Sequence, residues 1–275
     1  MNREMIITSR QNPLIKTVCA LSEKKKRREM GMLRFDGSKL LEEAIRHRLP
    51  LTYVLLHEQA ERFLPLVQKA VEEDLLTKEG VLWVGDSAFE KMSEEQAPEG
   101  VITVAKIPEG LHVRAAGESL SEVVAREEKI LVAQALRDPG NLGTVLRSCA
   151  SLGMDRVILS EDCAELWSPK TMRAAMGAIF RMPTVTVDNL PCAIAALRRG
   201  GRRVYATALH REALTIGQFP LCAGDCFVIG NEGHGLTTDV IEACDASAII
   251  PMREGSESLN AAAAAAICIW ETVRA

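Results

Sequence analysis

Three polar segments of the 275-residue chain could carry chemistry, and the first is RDPGNLGTVLRSC at 137–149. Pro139 and Gly140 turn the chain after an apolar run, and Asn141 suits the N-cap of the helix that follows. Arg147 lies six residues further on, close to two helical turns, so both polar side chains can project to the same side near the helix start. A capped helix with an arginine in solvent is the alternative that spacing alone leaves open.

The second segment is VIGNEGHGLTTD at 228–239, in which Gly230, Gly233 and Gly235 follow a predicted strand and precede a predicted helix. Such a loop presents backbone N–H groups closely to a ligand, although its order is neither the dinucleotide fingerprint nor a P-loop. Glu232 would repel a phosphate and suits a polar or cationic partner, or it simply faces water. His234 has no neighbouring Ser, Cys or Asp pattern that would make a hydrolytic triad.

The third segment is IPMREGSESLNAAAAAA at 250–266. Ile250 and Met252 end a predicted strand, and a loop then leads to Ser258, Leu259 and Asn260 at the start of the last predicted helix. Either polar side chain could be only a helix cap. Two polar side chains around an apolar one, opposite a glycine loop in a parallel sheet, are more than a cap requires.

The elements around these segments alternate between strand and helix patterns. Unbroken apolar runs predict strands at 129–136, 155–160, 183–187, 202–209, 226–231 and 246–252. Helical patterns separate most of them, at 141–152, 168–180, 189–199, 237–244 and 258–274. This alternation predicts an α/β domain with a parallel sheet covered on both faces. In such sheets ligands bind at the carboxyl ends of strands, which points to the loops at 137–143, 207–217, 230–237 and 252–260.

Residues 1–107 predict a separate, smaller α/β domain. The patterns are a helix over 12–30 that ends in the charge run EKKKRRE, a helix over 38–47, a strand over 51–56, a helix over 58–73, and strands over 81–85 and 100–107. Residues 108–128 open with Pro-Glu-Gly and carry few large apolar residues, which is typical of a linker. The larger domain is therefore expected at 129–275.

Charge is distributed unevenly along the chain. The net charge is −4, yet residues 1–50 carry 12 basic and 6 acidic residues. Lysine and arginine replace the counterions on phosphates, so a nucleic acid would meet this segment first. The candidate contacts are Lys24, Lys25, Lys26, Arg27 and Arg28, with a solvated helix end as the alternative. Aromatic residues make up only 4%, which argues against a protein that binds bases mainly by ring stacking.

The cysteines indicate reduced thiols in a core. The eight cysteines are scattered, mostly within apolar runs, and Cys222 and Cys226 have no second pair with which to complete a metal site. We therefore expect no metal. The N-terminus has no apolar stretch typical of a signal peptide, and the apolar run at 261–270 is too short to span a bilayer. A cytoplasmic protein without a membrane segment is expected.

Taken together, NLGTVLRSC (141–149), VIGNEGHGL (228–236) and IPMREGSESLN (250–260) resemble the SpoU or TrmH family of RNA 2′-O-methyltransferases in the SPOUT superfamily. The resemblance covers 129–275. SRQNPLIK (9–16) and RFDGSKLLEEA (34–44) resemble the RNA-substrate-binding domain that precedes the catalytic domain in many members. The resemblance implies a trefoil knot at the C-terminus and a homodimer whose active site is completed across the interface.

The resemblance also implies S-adenosylmethionine as the methyl donor. In the family this cofactor is held chiefly by main-chain groups, and Gly230, Ile250, Met252 and Leu259 would hold its adenine and ribose. Thr207 would lie nearby.

The same resemblance makes Arg147 the residue that activates the ribose 2′-hydroxyl, while Asn141, Glu232, Ser258 and Asn260 shape the site. A free arginine is a poor base at neutral pH, so Arg147 is either perturbed by its surroundings or acts by positioning the hydroxyl and a phosphate.

In the family that the chain resembles, a separate N-terminal domain of this kind often accompanies members that act on ribosomal RNA, so the resemblance favours ribosomal RNA over transfer RNA as the substrate. Transfer RNA is one alternative, and a non-catalytic RNA-binding protein is another. A nucleotide- or NAD-dependent α/β enzyme would explain the parallel sheet and the glycine loop, but the sequence lacks the fingerprint and its ribose-binding acid.

Overall fold

The computed structural model describes residues 6–95, 97–208, 212–231, 233–253 and 258–275. The chain divides into two compact units. The first comprises the chain up to Pro108 together with Trp167–Phe180, and the second comprises Glu109–Leu166 and Arg181–Ala275. Within the described residues, every helix is too short or too polar to cross a membrane.

The first unit is built on a five-stranded mixed sheet. Its strands are β1 (Ile6–Ile7), β2 (Met32–Asp36), β3 (Leu51–His57), β4 (Val81–Val84) and β5 (Val101–Lys106), in the order β1-β4-β3-β5-β2. β1, β4 and β3 run parallel, whereas β5 runs antiparallel to both β3 and β2. Between Ile6 and Pro108, the helices of this unit are α1 (Pro13–Ala20), α2 (Lys24–Met30), α3 (Ser38–Arg46), α4 (Leu64–Glu72) and α5 (Asp86–Met92).

The single helix predicted over 12–30 is two helices. Asn12 caps the first by accepting the N–H of Leu14 at 2.9 Å, and the first helix ends before Leu21. Arg27 closes the break, because its Nη1 donates to the carbonyls of Leu21 and Ser22 at 2.6 and 2.7 Å. Arg27 is only 2% exposed, so its prediction as an RNA contact is wrong: this guanidinium donates hydrogen bonds to carbonyls inside the fold.

The second unit contains an eight-stranded parallel sheet. Its strands are β6 (His112–Ala115), β7 (Ile130–Ala133), β8 (Arg156–Ser160), β9 (Thr184–Val187), β10 (Val204–Thr207), β11 (Leu214–Thr215), β12 (Cys226–Ile229) and β13 (Ala246–Ile249). Their order is β11-β13-β10-β12-β7-β8-β9-β6. The helices are α6 (Leu120–Val123), α7 (Pro139–Leu152), α9 (Leu190–Arg199), α10 (Thr238–Ala243) and α11 (Ala261–Arg274), while α8 (Pro169–Ala175) belongs to the first unit. The predicted parallel α/β architecture is confirmed.

The central strands of this sheet are buried because they are aliphatic on both faces. All four residues of β7 and all four of β12 are buried. One side of the sheet packs on α9 and α10 in a core that includes Ile130, Val132 and Val228. Burial of such side chains contributes roughly 1.5–3 kcal/mol each.

The linker predicted over 108–128 is not an irregular connector throughout. His112–Ala115 form β6, which pairs in parallel with β9 at the edge of the large sheet, and Leu120 in α6 is fully buried. The backbone N–H of Gly117 donates to Asp188 at 2.9 Å and holds the segment against the sheet. An edge strand is half exposed, so His112-Val113-Arg114-Ala115 lacks the continuous apolar run on which the prediction depended.

Candidate functional site

A cavity of about 440 Å³ lies where β10, β12 and β13 end at their carboxyl edge. Loops after parallel strands are where α/β sheets bind ligands. The structure brings together here all of the predicted cofactor residues, which are Thr207, Gly230, Ile250, Met252 and Leu259. Ser258, predicted to shape the site, also lines this cavity.

The glycine loop after β12 is organised by Asn231. Its Oδ1 accepts the backbone N–H groups of Gly233 and His234 at 2.9 and 3.1 Å, and its Nδ2 donates to the carbonyl of Ala135 at 2.8 Å. The backbones of Asn231 and Gly235 exchange two further hydrogen bonds, of 3.1 and 3.0 Å. The loop is therefore closed by its own main chain and tied to the end of β7.

Gly230 is required by the closeness of this turn. A Cβ at this position would lie 2.5 Å from the carbonyl carbon of Gly235 and 2.6 Å from the backbone nitrogen of Leu236. Gly235 supplies the left-handed conformation that closes the loop, with a φ of 68°. Backbone therefore lies directly against backbone beside the cavity.

The cavity wall suits a neutral heterocycle and its sugar. Among the described lining residues there is no Asp, Glu, Lys or Arg, and the side chains are mainly aliphatic or small. The hydroxyl of Thr207 donates to the carbonyl of Val228 at 2.7 Å and is thus already paired within the protein. Aliphatic walls with exposed main-chain groups fit the adenine and ribose of S-adenosylmethionine, and the volume lies in the usual range for such ligands.

The first and third polar segments meet at the start of two helices. Asn260 caps α11 by accepting the N–H groups of Ala262 and Ala263 at 2.9 and 3.3 Å, and its Nδ2 donates to Oδ1 of Asn141 at 3.0 Å. The sequence predicts Asn141 as the N-cap of α7, and this prediction is wrong. Asp138 caps that helix and accepts the N–H of Asn141 at 2.9 Å, because Pro139 occupies the first helical position and moves the start of the helix back.

Arg147 lies on the exposed face of α7 and does not line the cavity. Within the part of the chain that the structure describes, its guanidinium makes no hydrogen bond or ion pair. Glu232, the remaining predicted site residue, falls outside the described residues. The site thus combines a formed cavity with an unengaged cation on a neighbouring helix.

The basic run on α2 is exposed except at two positions. Lys24, Lys25 and Arg28 face solvent, Lys26 is half-buried and Arg27 is buried. Glu29 lies 3.9 Å from Lys25 Nζ and 2.8 Å from Lys26 Nζ, and its hydrogen bond raises the pKa of Lys26. The run is thus a weaker cationic surface than its sequence indicates.

Two residues that organise the site were missed by sequence reasoning. One is Asn231, which lies among the glycines of the second polar segment, where the glycines are interpreted as the functional signal. The other is Gln134 at the end of β7: its Nε2 donates to the hydroxyl of Thr237 at 2.7 Å and its Oε1 accepts the Thr237 N–H at 3.0 Å. Asparagine is a common turn former, so Asn231 carried a usable signal, whereas the partner of Gln134 lies 103 residues away.

The predicted core location of the cysteines holds for half of them. All eight thiols are free, and four of them are buried. Desolvation raises the pKa of Cys226 to about 12. Among the described residues, no three His, Cys, Asp or Glu side chains are grouped so as to hold a metal ion.

Comparison with known proteins gives two family matches. The model of the SpoU rRNA Methylase family matches residues 128–270, and that of an MRM3-like substrate binding domain matches residues 12–103. The 23S rRNA (guanosine(2553)-2′-O)-methyltransferase RlmP of Bacillus subtilis is 30% identical over 264 residues, with 96% of this chain and 97% of the relative covered.

Two further proteins extend the comparison. The 23S rRNA (uridine(2479)-2′-O)-methyltransferase of Streptomyces viridochromogenes is 26% identical over 275 residues, with 98% of this chain and 91% of the relative covered. Among solved structures, an AdoMet-bound rRNA methyltransferase from Sinorhizobium meliloti superposes with a TM-score of 0.80 at 26% identity, with 98% of this chain and 97% of that chain covered.

Proposed function

The chain belongs to the SpoU rRNA Methylase family, and from this membership we propose that it transfers a methyl group from S-adenosylmethionine to a ribose 2′-hydroxyl of ribosomal RNA. The family resemblance carried by the three polar segments is thereby confirmed. The observation that supports the proposal most strongly is the cavity at the carboxyl ends of β10, β12 and β13, which gathers the five predicted cofactor residues.

The cofactor supplies a methyl group on a sulfonium, which is already an excellent leaving group. The protein has to align the two reactants and to handle the proton of the hydroxyl. Gly230 and its neighbours would offer main-chain groups to the bound cofactor, and the apolar side chains of Ile250 and Leu259 would pack against it. Ser258 and Asn260 adjoin this cavity and shape the approach to it, as Asn141 does through its hydrogen bond to Asn260.

We assign to Arg147 a positioning role toward the 2′-hydroxyl and an adjacent phosphate. Its planar fork can hold both oxygens together, and no described side chain competes for it.

Single-turnover methylation with Arg147 variants tests this assignment. Arg147→Ala should lower the rate by at least about a hundredfold while cofactor affinity stays within about threefold, because the interaction is made mainly in the transition state. Arg147→Lys should recover little, since lysine keeps the charge but loses the fork. Arg199→Ala, at an exposed position on α9, is the matched control. Near-normal turnover in Arg147→Ala would remove Arg147 from the mechanism.

The RNA class is supported by both matched domains. The relatives above carry names that specify 23S rRNA, and the N-terminal match is to a substrate binding domain. Mass-spectrometric mapping of 2′-O-methyl nucleotides in cells with and without the gene should show a loss in ribosomal RNA. A loss confined to transfer RNA would support the alternative substrate.

The solvent-accessible lysine and arginine side chains of α2 are proposed RNA contacts. Replacement of Lys24, Lys25, Lys26 and Arg28 by Gln should weaken RNA binding and flatten its salt dependence, because fewer counterions are released. Arg27 stays unchanged in this variant because it is buried. An unchanged salt slope would mean that α2 is only a solvated helix.

We also propose a homodimer in which α11 contributes to the interface. Ile267 and Trp270 on this helix are 37% and 55% exposed, and Met252 and Leu259 beside the cavity are similarly open. Exposed apolar groups of this kind mark interaction sites. Trp270→Glu should therefore shift the sedimentation coefficient toward that of a monomer. The trefoil knot and the cytoplasmic location stay predictions.

A further inference from the structure

The first unit contains a second cavity, of about 350 Å³, that the methyl-transfer site does not use. It lies at the carboxyl ends of the parallel strands β3 and β4, where His57 ends one strand and Asp86 begins the helix after the other. Phe89, Glu90 and Arg62 also line it. We call it the His57 cavity.

The histidine of this cavity is fixed in orientation. The backbone N–H of Gln59 donates to Nδ1 of His57 at 3.3 Å, so the neutral ring carries its hydrogen on Nε2. Nε2 lies 2.7 Å from Oδ1 of Asp86 and donates to it. The ring of Phe89 meets the imidazole edge-on, with centroids 5.3 Å apart. His57 is therefore a rigid wall, already supplied with its own partners.

The positive charge near the cavity is also engaged. Nη2 of Arg62 donates to the carbonyl of Glu99 at 2.7 Å, and the guanidinium lies 4.8 Å above the ring of Phe63. The carboxylate of Glu99 accepts the N–H and the hydroxyl of Ser38 at 2.9 and 2.7 Å, and these hydrogen bonds lower its pKa. Both side chains are therefore held in place by contacts within the protein.

Glu90 differs from these neighbours. Asp86 and Glu90 are four residues apart on α5 and so project to the same side of the helix. The carboxylate of Glu90 is exposed and, within the described residues, forms no hydrogen bond or ion pair. The exposed carboxylate of Glu90 can therefore accept N–H donors from a ligand in this cavity.

Guanine is the nucleobase that best matches such an acceptor. Its Watson–Crick edge presents two adjacent N–H donors, at N1 and N2, which the two oxygens of one carboxylate can accept together. Proteins read unstacked RNA bases on this edge and pack them against rings such as histidine. Adenine, cytosine and uracil do not offer the same donor pair.

We propose that the His57 cavity binds one unstacked guanine of the RNA substrate, with Glu90 accepting its N1–H and N2–H groups and His57 packing against the base. The proposal rests on the proposed function, because it takes the first unit to be an RNA-binding domain. A metal ion is a poorer occupant, since the described residues here do not form a group of three ligands.

Binding of the full-length protein to single-stranded oligouridine that carries one central guanosine tests the proposal. Inosine at the same place removes only the N2 amino group, and we expect it to weaken binding about tenfold, because a hydrogen bond to a charged acceptor is lost. Glu90→Gln should abolish this difference, and Asp86→Asn, which keeps an acceptor for His57, should reduce it less. The matched control is Glu79→Gln, an exposed glutamate outside the cavity, which should keep the full difference.

The outcomes separate this proposal from the methyltransferase assignment. A wild-type protein that binds guanosine and inosine RNA equally would overturn the guanine site, as would an unchanged ratio in Glu90→Gln. Equal tightening of every RNA by Glu90→Gln and Glu79→Gln would also overturn it, since that is general charge repulsion. S-adenosylmethionine binding and methyl transfer, measured on the same samples, test the proposed function independently.

Discussion

The substitution Gly230→Ala tests whether the closed glycine loop forms the cofactor cavity. The added Cβ would stand 2.5 Å from the carbonyl carbon of Gly235, whereas ordinary contacts of a Cβ begin near 3.4 Å. The loop must therefore open by about 0.9 Å, the difference between these distances. Both close atoms are backbone, so no side-chain rotation can relieve the overlap. The hydrogen bonds between Asn231 and Gly235, at 3.1 and 3.0 Å, would lengthen as the loop opens.

The expected magnitude follows from the cost of overpacking, which is typically about 1–3 kcal/mol. The loop lies at the surface and can shift without unfolding the sheet, so the cost should appear when the cavity is re-formed around a ligand. At about 1.4 kcal/mol per factor of ten, the dissociation constant of S-adenosylmethionine should rise roughly tenfold to a hundredfold.

Calorimetric titration with S-adenosylhomocysteine measures the loss of ligand affinity, and a thermal unfolding curve measures any loss of stability. Gly233→Ala is the matched control, because its Cβ would meet only Oδ1 of Asn231, at an ordinary 3.6 Å. That variant should keep its affinity within about threefold of the parent. If Gly230→Ala binds within twofold of the parent and unfolds at the same temperature, the loop does not form the cavity in the way described.

Three further predictions concern other parts of the chain. Asn231→Asp keeps the acceptor for the loop N–H groups but loses the donor to the Ala135 carbonyl. Single-turnover methylation should therefore slow by about tenfold, while the affinity for the cofactor should change by less than about threefold. A loss of affinity with an unchanged methylation rate would contradict this prediction. Arg27→Gln should lower the free energy of unfolding by about 1–3 kcal/mol, because buried carbonyls lose a charged donor, whereas Arg28→Gln should change it by less than about 0.5 kcal/mol in the same denaturant titration. Thiol labelling of the native protein, followed by mass spectrometry, should modify the exposed Cys192 and Cys222 first and leave the buried thiols unmodified; early modification of a buried thiol would refute their inertness. The buried thiols are Cys149, Cys226, Cys244 and Cys268.

The large sheet could be predicted because its central strands are aliphatic on both faces. β7, β8 and β12 lie within the predicted ranges, which run one to three residues longer at their ends. The cavity could be predicted in the same way, since its loops come directly after the strands β10, β12 and β13. The family motifs then supplied residue roles that spacing alone did not give, such as Leu259 at the cavity.

The parts that could not be predicted depend on tertiary pairing. β6 has four residues with two polar side chains, and only its place beside β9 makes it a strand. Arg27 belongs to a run of cations whose pattern indicates solvent, yet at the break between α1 and α2 its side chain donates to the carbonyls of Leu21 and Ser22. The helix predicted over 168–180 ends at Ala175, where Met176 takes a left-handed conformation with a φ of 48°. None of these features has a local signal in the sequence.

Hydrogen bonds connect the three polar segments into one assembly. Asn231 and Gln134 join the glycine loop and the start of α10 to the end of β7, and Asn260 joins the start of α11 to Asn141 on α7. The N-terminal end of the helix that carries Arg147 is thus linked directly to the start of α11, and the segment before this helix is linked to the glycine loop and to the start of α10. Methyl transfer needs its reactants aligned to within fractions of an ångström. In the role proposed for Arg147, the hydrogen bond between Asn260 and Asn141 would fix the helix of Arg147 relative to the start of α11 beside the cavity, although Arg147 itself does not line that cavity.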